Sequence, residues 1–145
     1  MLDILKNLKW VSSNRRNKIS DIKNPKSMIA GMRTWRNKWG KCRLSIQYPE
    51  LDKQLKDFIE DKSFKYTTVT LNKNFKCLPH YDSNNINDSY IIGLGDYTGG
   101  ELNIDGIKHD IKNKWLKFNG SKNKHWVEPF TGDRYTLVYY NNLSN

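Results

Sequence analysis

Leu78-Pro79-His80-Tyr81-Asp82 is the stretch from which the rest of the chain is best interpreted. Alternate residues of an extended chain point to the same side, so His80 and Asp82 can bind one metal ion together. His125, on a later predicted strand, can supply a second imidazole. Two imidazoles and one carboxylate on one face of a metal are typical of non-haem Fe(II) sites, which keep the other positions open. His109, the remaining histidine, is predicted to be exposed and outside this site.

The residues from Lys65 onward predict many short strands. The runs Tyr66–Leu71 and Arg134–Tyr140 are rich in β-branched and aromatic residues, as strands are. Asp105-Gly106 and Asn119-Gly120 are typical of tight hairpins. Further strands are predicted at 75–80, 90–94, 107–111, 114–118 and 125–127, with a turn into another strand over 99–104 and a loop at 83–89. This spacing predicts a mainly β fold with flanking helices (α+β), whose core is a double-stranded β-helix, or jelly roll.

The N-terminal residues are predicted to support that core. Apolar spacing predicts a short helix over 2–11, and Pro49 opens a second helix that carries Leu51 and Leu55 on one face. Met28–Ser45 is predicted to form one or two strands with a turn at Trp39-Gly40. The length of 145 residues suits one domain, with 1–64 as helical and mixed support and 65–141 as the jelly-roll core.

Basic residues near the N-terminus leave two alternatives open. Arg15 and Arg16 lie in a polar stretch, 12–25, that is predicted to be either a solvated loop or an arm that contacts phosphates. Trp35 and Trp39 lie among cationic residues and are either core residues or a stacking surface for bases. The net charge of +10 favours a nucleic-acid partner, although an AT-rich genome, viral or cellular, also encodes such Lys-, Asn- and Ile-rich chains.

Composition argues against several classes of protein. Five Trp, eight Tyr and five Phe argue against disorder. No apolar run reaches the length that crosses a membrane, and Met1–Trp10 has no uninterrupted apolar stretch that would make it a signal peptide. Cys42 and Cys77 lie far apart and are predicted to be reduced thiols. We therefore expect an intracellular protein, cytoplasmic or nuclear, with no membrane partner.

Arg134 and Thr136 predict a second half of the site. They lie two residues apart at the start of an apolar strand and so point to the same face. A guanidinium fork holds a carboxylate through two hydrogen bonds, and a hydroxyl adds a donor. We expect this pair to bind the far carboxylate of 2-oxoglutarate, whose keto-acid end chelates the iron. The alternative is a surface salt bridge from Arg134 to Asp133 or Glu128.

The segment 67–140 resembles the Fe(II)/2-oxoglutarate-dependent oxygenases. Residues 79–85, with the His-x-Asp motif, and residues 94–102, with a Gly-Gly-Glu-Leu turn, are similar to the TET/JBP-like branch. That branch oxidises methyl groups on pyrimidine bases and has fungal, protist and viral relatives. The resemblance implies a jelly-roll oxygenase that acts on nucleic acid.

The resemblance also implies roles for individual residues. His80, Asp82 and His125 match the iron ligands, and Arg134 matches the residue that binds 2-oxoglutarate. Asn72 is a further candidate contact for 2-oxoglutarate, with ordinary turn formation as its alternative. The candidates for contact with the target base are Asn85, Asn84, Tyr81, Trp126 and Tyr97.

The implied reaction decarboxylates 2-oxoglutarate to succinate and hydroxylates a C–H bond, with O2 as co-substrate and ascorbate as reductant. The expected substrate is a methyl-pyrimidine base in DNA or RNA, which must leave the stack to reach the metal. A prolyl, lysyl or other protein hydroxylase shares these cofactors and is the alternative. A jelly-roll binding module without catalysis is a third hypothesis.

Overall fold

Antiparallel strands predominate in the computed structural model, which describes residues 1–142. This confirms a mainly β fold with flanking helices; residues 143–145 of the predicted domain lie outside the described part. No helix in the described part is long and apolar enough to cross a membrane. The elements are α1 (Leu2–Asn7), a 3-10 helix (Asn14–Ile19), β1 (Lys26–Trp35), β2 (Lys38–Lys41), α2 (Arg43–Gln47), α3 (Leu51–Phe58), β3 (Thr68–Lys73), β4 (Asn85–Leu94), β5 (Tyr97–Gly99), β6 (Leu102–Ile104), β7 (Ile107–His109), β8 (Leu116–Phe118), β9 (His125–Val127), β10 (Phe130–Gly132) and β11 (Tyr135–Asn142).

The largest sheet has six strands in the order β2-β1-β3-β11-β4-β8. Two smaller sheets, β7-β6-β9 and β10-β5, complete the β structure of residues 1–142. In the large sheet β11 is paired with β3, with Thr136 opposite Asn72 and Val138 opposite Thr70. Directly opposed residues of antiparallel strands share a face, so these side chains lie on one side of the sheet.

The other side of the large sheet carries the main hydrophobic core. Leu137 and Tyr139 of β11 are fully buried there. The helices cover this side, and Leu5, Leu44, Leu51 and Leu55 complete the same apolar cluster. The helix predicted after Pro49 is therefore confirmed as α3, and its apolar stripe is the one that packs.

Several predicted N-terminal features are wrong in detail. The β1–β2 hairpin turns at Arg36 and Asn37, which both have positive φ (50° and 64°), and not at Trp39-Gly40. Two successive residues with positive φ make a type I′ turn. Asparagine is common in such turns but arginine is not, so Arg36-Asn37 does not look like a turn in the sequence. The predicted strand region ends at Lys41, because Arg43–Gln47 is helical. The predicted loop 12–25 contains the 3-10 helix, and the first helix ends at Asn7.

Three predictions in the C-terminal part also need correction. Residues 75–80 form no strand; the isolated bridges Ser20–Cys77 and His80–His125 and a hydrogen bond from the amide of Val127 to the carbonyl of Cys77 (3.1 Å) hold them. The predicted loop 83–89 is mostly strand, since β4 begins at Asn85. Asn119-Gly120 is no hairpin, because β8 pairs with β4 whereas β9 pairs with β6. The Asp105-Gly106 hairpin between β6 and β7 is confirmed.

Candidate functional site

Backbone hydrogen bonds bring three separate parts of the chain together around His80, Asp82 and His125. The amide of His80 donates to the carbonyl of His125 (3.1 Å), and the amide of His125 donates back (3.0 Å). The amide of Asp82 donates to the carbonyl of Gly120 (2.9 Å). Thus the short segment after β3 is attached to β9 and to the loop before it, although it forms no strand of its own.

The side chains of these three residues form a compact ligand group. One ligand atom from each lies within 4.8 Å of the others. The Nε2 atom of His125 is 3.0 Å from Oδ2 of Asp82, and Nε2 of His80 is 3.4 Å from Oδ1. His109 is half-buried at the end of β7 and is not part of the group, so its predicted exposure is wrong and its separation from the site is correct.

Both imidazoles are oriented through their other ring nitrogen. Nδ1 of His80 lies 2.6 Å from the carbonyl of Leu78, and Nδ1 of His125 lies 2.9 Å from the carbonyl of Asn123. A carbonyl accepts a hydrogen bond, so each Nδ1 carries a proton and each Nε2 faces Asp82; with a metal bound, Nε2 would present its lone pair to the ion. Such contacts fix the tautomer that a metal ligand needs. The donor set of two imidazoles and one carboxylate suits Fe(II).

The electrostatics of the cluster favour an ionised carboxylate. Burial by itself would raise the pKa of Asp82, but hydrogen bonds from His125 and His80 outweigh burial and hold the pKa well below its usual range. Burial would likewise lower the pKa of His125, and the hydrogen bond to Asp82 reverses this and raises it. The carboxylate of Asp82 and the imidazole of His125 therefore favour each other's charged forms.

Arg134 is the most unusual buried residue of the cavity. Its side chain is only 2% exposed, and Nη2 donates to the carbonyl of Gly100 (2.9 Å). The Nε atom is buried without a hydrogen-bond partner, and no carboxylate of residues 1–142 forms a salt bridge with this guanidinium. Burial lowers the pKa of Arg134 from its ordinary value, yet arginine keeps its charge in proteins. The alternative of a surface salt bridge to Asp133 or Glu128 is therefore wrong.

The surroundings of Arg134 hold the guanidinium in place. It lies over the rings of Tyr97 (5.6 Å) and Phe130 (5.5 Å). A side chain at Gly100 would collide with it, since an added Cβ would lie 2.7 Å from Nε, and Gly100 has a φ of 70°. The backbone amide of Arg134 donates to the side-chain oxygen of Asn74 (2.7 Å). A buried, fixed and uncompensated guanidinium is suited to an anionic ligand.

Asn72 and Thr136 belong to a buried polar chain beside Arg134. Ser27 donates to the amide oxygen of Asn72 (2.7 Å), and the amide nitrogen of Asn72 donates to the hydroxyl of Thr136 (3.1 Å). The alternative role of Asn72 in a turn does not apply, because Asn72 lies within β3. The chain leaves the hydroxyl proton of Thr136 free to donate to a ligand.

One cavity of about 350 Å³ joins the ligand group to Arg134, Asn72 and Thr136. This volume is within the range of small-molecule sites. The base-contact candidates Tyr81, Asn84, Asn85 and Trp126 line the same cavity. Tyr97 does not; it is 3% exposed and packs beneath Arg134, so core packing is its role.

No local sequence pattern places Arg16 or Gly120 in this cavity. Arg16 lines the cavity from the 3-10 helix, and its Nε atom is also buried without a partner. A Cβ at Gly120 would lie 3.0 Å from Oδ2 of Asp82 and 3.1 Å from Cε1 of His125. The sequence predicts a turn at Gly120. In the structure, its lack of a side chain leaves room for Asp82 and His125 close to its backbone.

Comparison with known proteins finds a likeness to a solved structure. The chain matches no protein-family model, and no curated protein matches it in sequence. Its fold is similar to that of NgTET1 in a complex with 5mC DNA, with a TM-score of 0.68 and 18% sequence identity. The match covers 81% of this chain and 61% of that one, so this chain spans under two thirds of the neighbour's length. At this identity the likeness shows a TET-like fold and nothing finer.

Proposed function

We propose that this protein is an Fe(II)- and 2-oxoglutarate-dependent dioxygenase that hydroxylates a methyl-pyrimidine base of a nucleic acid. The proposal includes an intracellular protein with one domain over 1–145, in which 65–141 is a double-stranded β-helix and 1–64 its support. The observation that carries it is the buried guanidinium of Arg134, which lacks a carboxylate partner and shares a cavity with His80, Asp82 and His125.

The argument from Arg134 is energetic. Burial of an uncompensated charge costs several kcal/mol, roughly, and such a charge is retained where a ligand supplies its partner. The far carboxylate of 2-oxoglutarate is a partner of the right charge and shape for a guanidinium fork. The hydroxyl of Thr136, oriented by Asn72, supplies a further donor to the same carboxylate.

The metal and the co-substrate supply the oxidising chemistry, and the protein supplies position and shielding. Iron bound to these residues would activate O2 as 2-oxoglutarate is decarboxylated to succinate. His80, Asp82 and His125 would hold the metal through two imidazoles and one carboxylate. Leu102, Ile91 and Val138 line the cavity and limit access of water to the reacting atoms.

A nucleic-acid base is the substrate that the cavity mouth favours. Tyr81 is 53% exposed at the mouth and can stack on a base. Asn84 and Asn85 offer amides for the hydrogen-bonding edge of a base, and both line the cavity. The fold of NgTET1, described in a complex with 5mC DNA, is consistent with this substrate.

The test is succinate formation by the purified protein with Fe(II), ascorbate and 2-oxoglutarate. Methylated DNA, methylated RNA and a mixed peptide pool are supplied in parallel. We expect succinate to rise with a methylated nucleic acid, and mass spectrometry to find hydroxymethyl-pyrimidine in the product. His80→Ala is expected to abolish both signals, whereas His109→Ala, which changes a histidine outside the cluster, is expected to leave them intact.

The outcomes separate the competing functions. If succinate rises only with peptides, this protein is a protein hydroxylase that uses the same cofactors. Absence of succinate in every condition, together with no binding of Fe(II) or of 2-oxoglutarate by calorimetry, would overturn the oxygenase itself and leave a binding module.

A further inference from the structure

The N-terminal third of the chain carries the basic character of the whole protein. Residues 4–49 contain twelve lysines and arginines and one acidic residue, Asp21. This excess of eleven exceeds the net charge of +10 of the complete chain. The remaining residues are therefore nearly balanced, and any polyanion should meet the N-terminal segment first.

Part of this charge lines a groove that continues from the metal-ligand cavity. A second cavity of about 280 Å³ shares Arg15, Arg16 and Tyr140 with the first and extends to Arg33. We call the joint feature the basic groove; its residues are Arg15, Arg16, Arg33, Thr70, Tyr140 and Asn142. It crosses β11, β3 and β1, a distance of about 10 Å at the usual spacing of strands.

The three arginines of the groove are not neutralised by the protein. None forms a salt bridge with a carboxylate of residues 1–142, and one buried nitrogen of Arg16 makes no hydrogen bond. Arg16 is held by packing, with its guanidinium 5.3 Å from the centre of the Phe75 ring. Positive groups without partners along a groove provide contacts for a series of phosphates.

An exposed indole stands at the far end of the groove. Trp35 is 62% exposed, and the guanidinium of Arg33 lies 5.1 Å from the centre of its ring. This excludes the alternative of a core role for Trp35. An exposed aromatic ring beside cations suits an unpaired base, because every base has a flat face on which an indole can stack.

The two faces of the β1–β2 hairpin carry different residues. Trp35 opposes Lys38 and Arg33 opposes Gly40, so Arg33 and Trp35 share a face. Trp39 opposes Thr34, and Lys41 opposes Met32, so Trp39 and Lys41 share the other face. Trp39 is 50% exposed, so it is an indole of similar exposure to Trp35 that points to the other face of the hairpin.

We propose that the basic groove and Trp35 bind an unpaired nucleic-acid strand beside the base that occupies the metal-ligand cavity. Arg15, Arg16 and Arg33 contact successive phosphates, and Trp35 stacks on a base of the same strand. The identity of the strand as substrate rests on the proposed function, whereas its binding does not require turnover. An acidic peptide would satisfy the arginines but would leave Trp35 without a planar partner, so the strand is favoured.

The test is the binding of a fluorescein-labelled single-stranded DNA oligonucleotide, measured by anisotropy without iron or 2-oxoglutarate. Trp35→Ala is expected to weaken binding about fivefold or more, as loss of one stacked base does. Arg33→Gln is expected to reduce the slope of log affinity against log salt by about 0.7, the value for one contact to a single strand. The matched variants Trp39→Ala and Lys41→Gln are expected to stay within about twofold of the unchanged protein.

Three results would overturn the groove. Equal losses from Arg33→Gln and Lys41→Gln, with no loss from Trp35→Ala, would indicate attraction by overall charge alone. A duplex of the same sequence that depends equally on Trp35 would exclude the unpaired strand. Polyglutamate that competes as strongly as the oligonucleotide would point to an acidic protein partner.

Different results would disprove the proposed strand binding in the groove and the proposed oxygenase activity. A protein that makes succinate but shows no dependence on Arg33 and Trp35 would keep the oxygenase and lose the groove. A protein that binds the strand through these residues but neither binds 2-oxoglutarate nor forms succinate would keep the groove and lose the oxygenase.

Discussion

The two faces of strand β11 differ in chemistry although they come from the same eight residues. Leu137 and Tyr139 point to the helices and are fully buried, and the Tyr139 hydroxyl donates to the carbonyl of Leu55 (2.7 Å). Thr136 and Val138 point to the cavity, where Thr136 is bonded to Asn72. One face thus supplies the folding energy, whereas the other carries polar groups that a ligand can reach. Substitutions on the two faces should therefore separate stability from binding.

The largest effect is expected on the cavity side, from Asp82→Ala. Removal of the carboxylate leaves two imidazoles, so we expect Fe(II) affinity to fall by more than about 100-fold, beyond the loss seen when an outer partner of a ligand is removed. Calorimetry under anaerobic conditions measures this affinity. The variant should remain folded, and a collapse of the fold would contradict the division between the faces.

On the helix side, Leu137→Ala is expected to lower the free energy of unfolding by about 2–5 kcal/mol, because it leaves a cavity in a fully buried cluster. Urea denaturation measures the change. Val138→Ala is the matched variant, one residue away and facing the cavity, and should cost clearly less. Equal losses from both variants would show that the two faces contribute alike to stability.

Arg134→Met tests ligand binding and protein stability in a single variant. It removes the charge-assisted hydrogen bonds to a carboxylate, each of which contributes about 1.5–3 kcal/mol, so we expect 2-oxoglutarate to bind at least about tenfold more weakly. The free protein should not lose stability, since a buried charge without a carboxylate partner is replaced by an apolar chain. Calorimetry and thermal melting test both parts. A large drop in melting temperature would assign Arg134 a structural role.

The smallest effect is expected from Gly120→Ala. The added methyl group would lie 3.0 Å from Oδ2 of Asp82 and 3.1 Å from Cε1 of His125, so the ligands must shift by a few tenths of an ångström. We expect Fe(II) affinity to fall by about tenfold, as it does when the orientation of ligands is disturbed. Gly40→Ala is the control, because nothing lies within 4 Å of its added Cβ. Unchanged Fe(II) affinity in both variants would show that the loop at Gly120 can move aside without disturbing Asp82 and His125.

The chemistry of the candidate site was predictable from the sequence to a considerable degree. His80 and Asp82 are neighbours in the chain, and Arg134 and Thr136 share strand parity, so local spacing alone relates the members of each pair. The prediction of an intact strand at 75–80 was wrong, but the two-residue relation survived because the segment is extended and bridged to His125. The sequence also indicates Asn72 as a candidate contact for 2-oxoglutarate, but it does not predict the hydrogen bond from Asn72 to Thr136.

Other features depend on contacts between residues far apart in the chain. Neither the buried polar chain from Ser27 to Thr136 nor the approach of Gly120 to Asp82 has a local pattern that would reveal it. The directions of Trp35 and Trp39 were equally hidden, because the hairpin turns at Arg36-Asn37 and not at the expected glycine. A turn displaced along a hairpin changes which residues oppose each other, and thus which side chains share a face.

By itself, the sequence determined the residue types, their local spacing and the alternation of β11, and these are enough to predict a mainly β chain with a metal-ligand set. Only the tertiary structure decided that Arg134 is buried without a carboxylate partner and that Arg16 lines the same cavity. The physical reason is that alternation and spacing act within one segment. Burial and charge compensation depend instead on which distant segments the sheet pairs together.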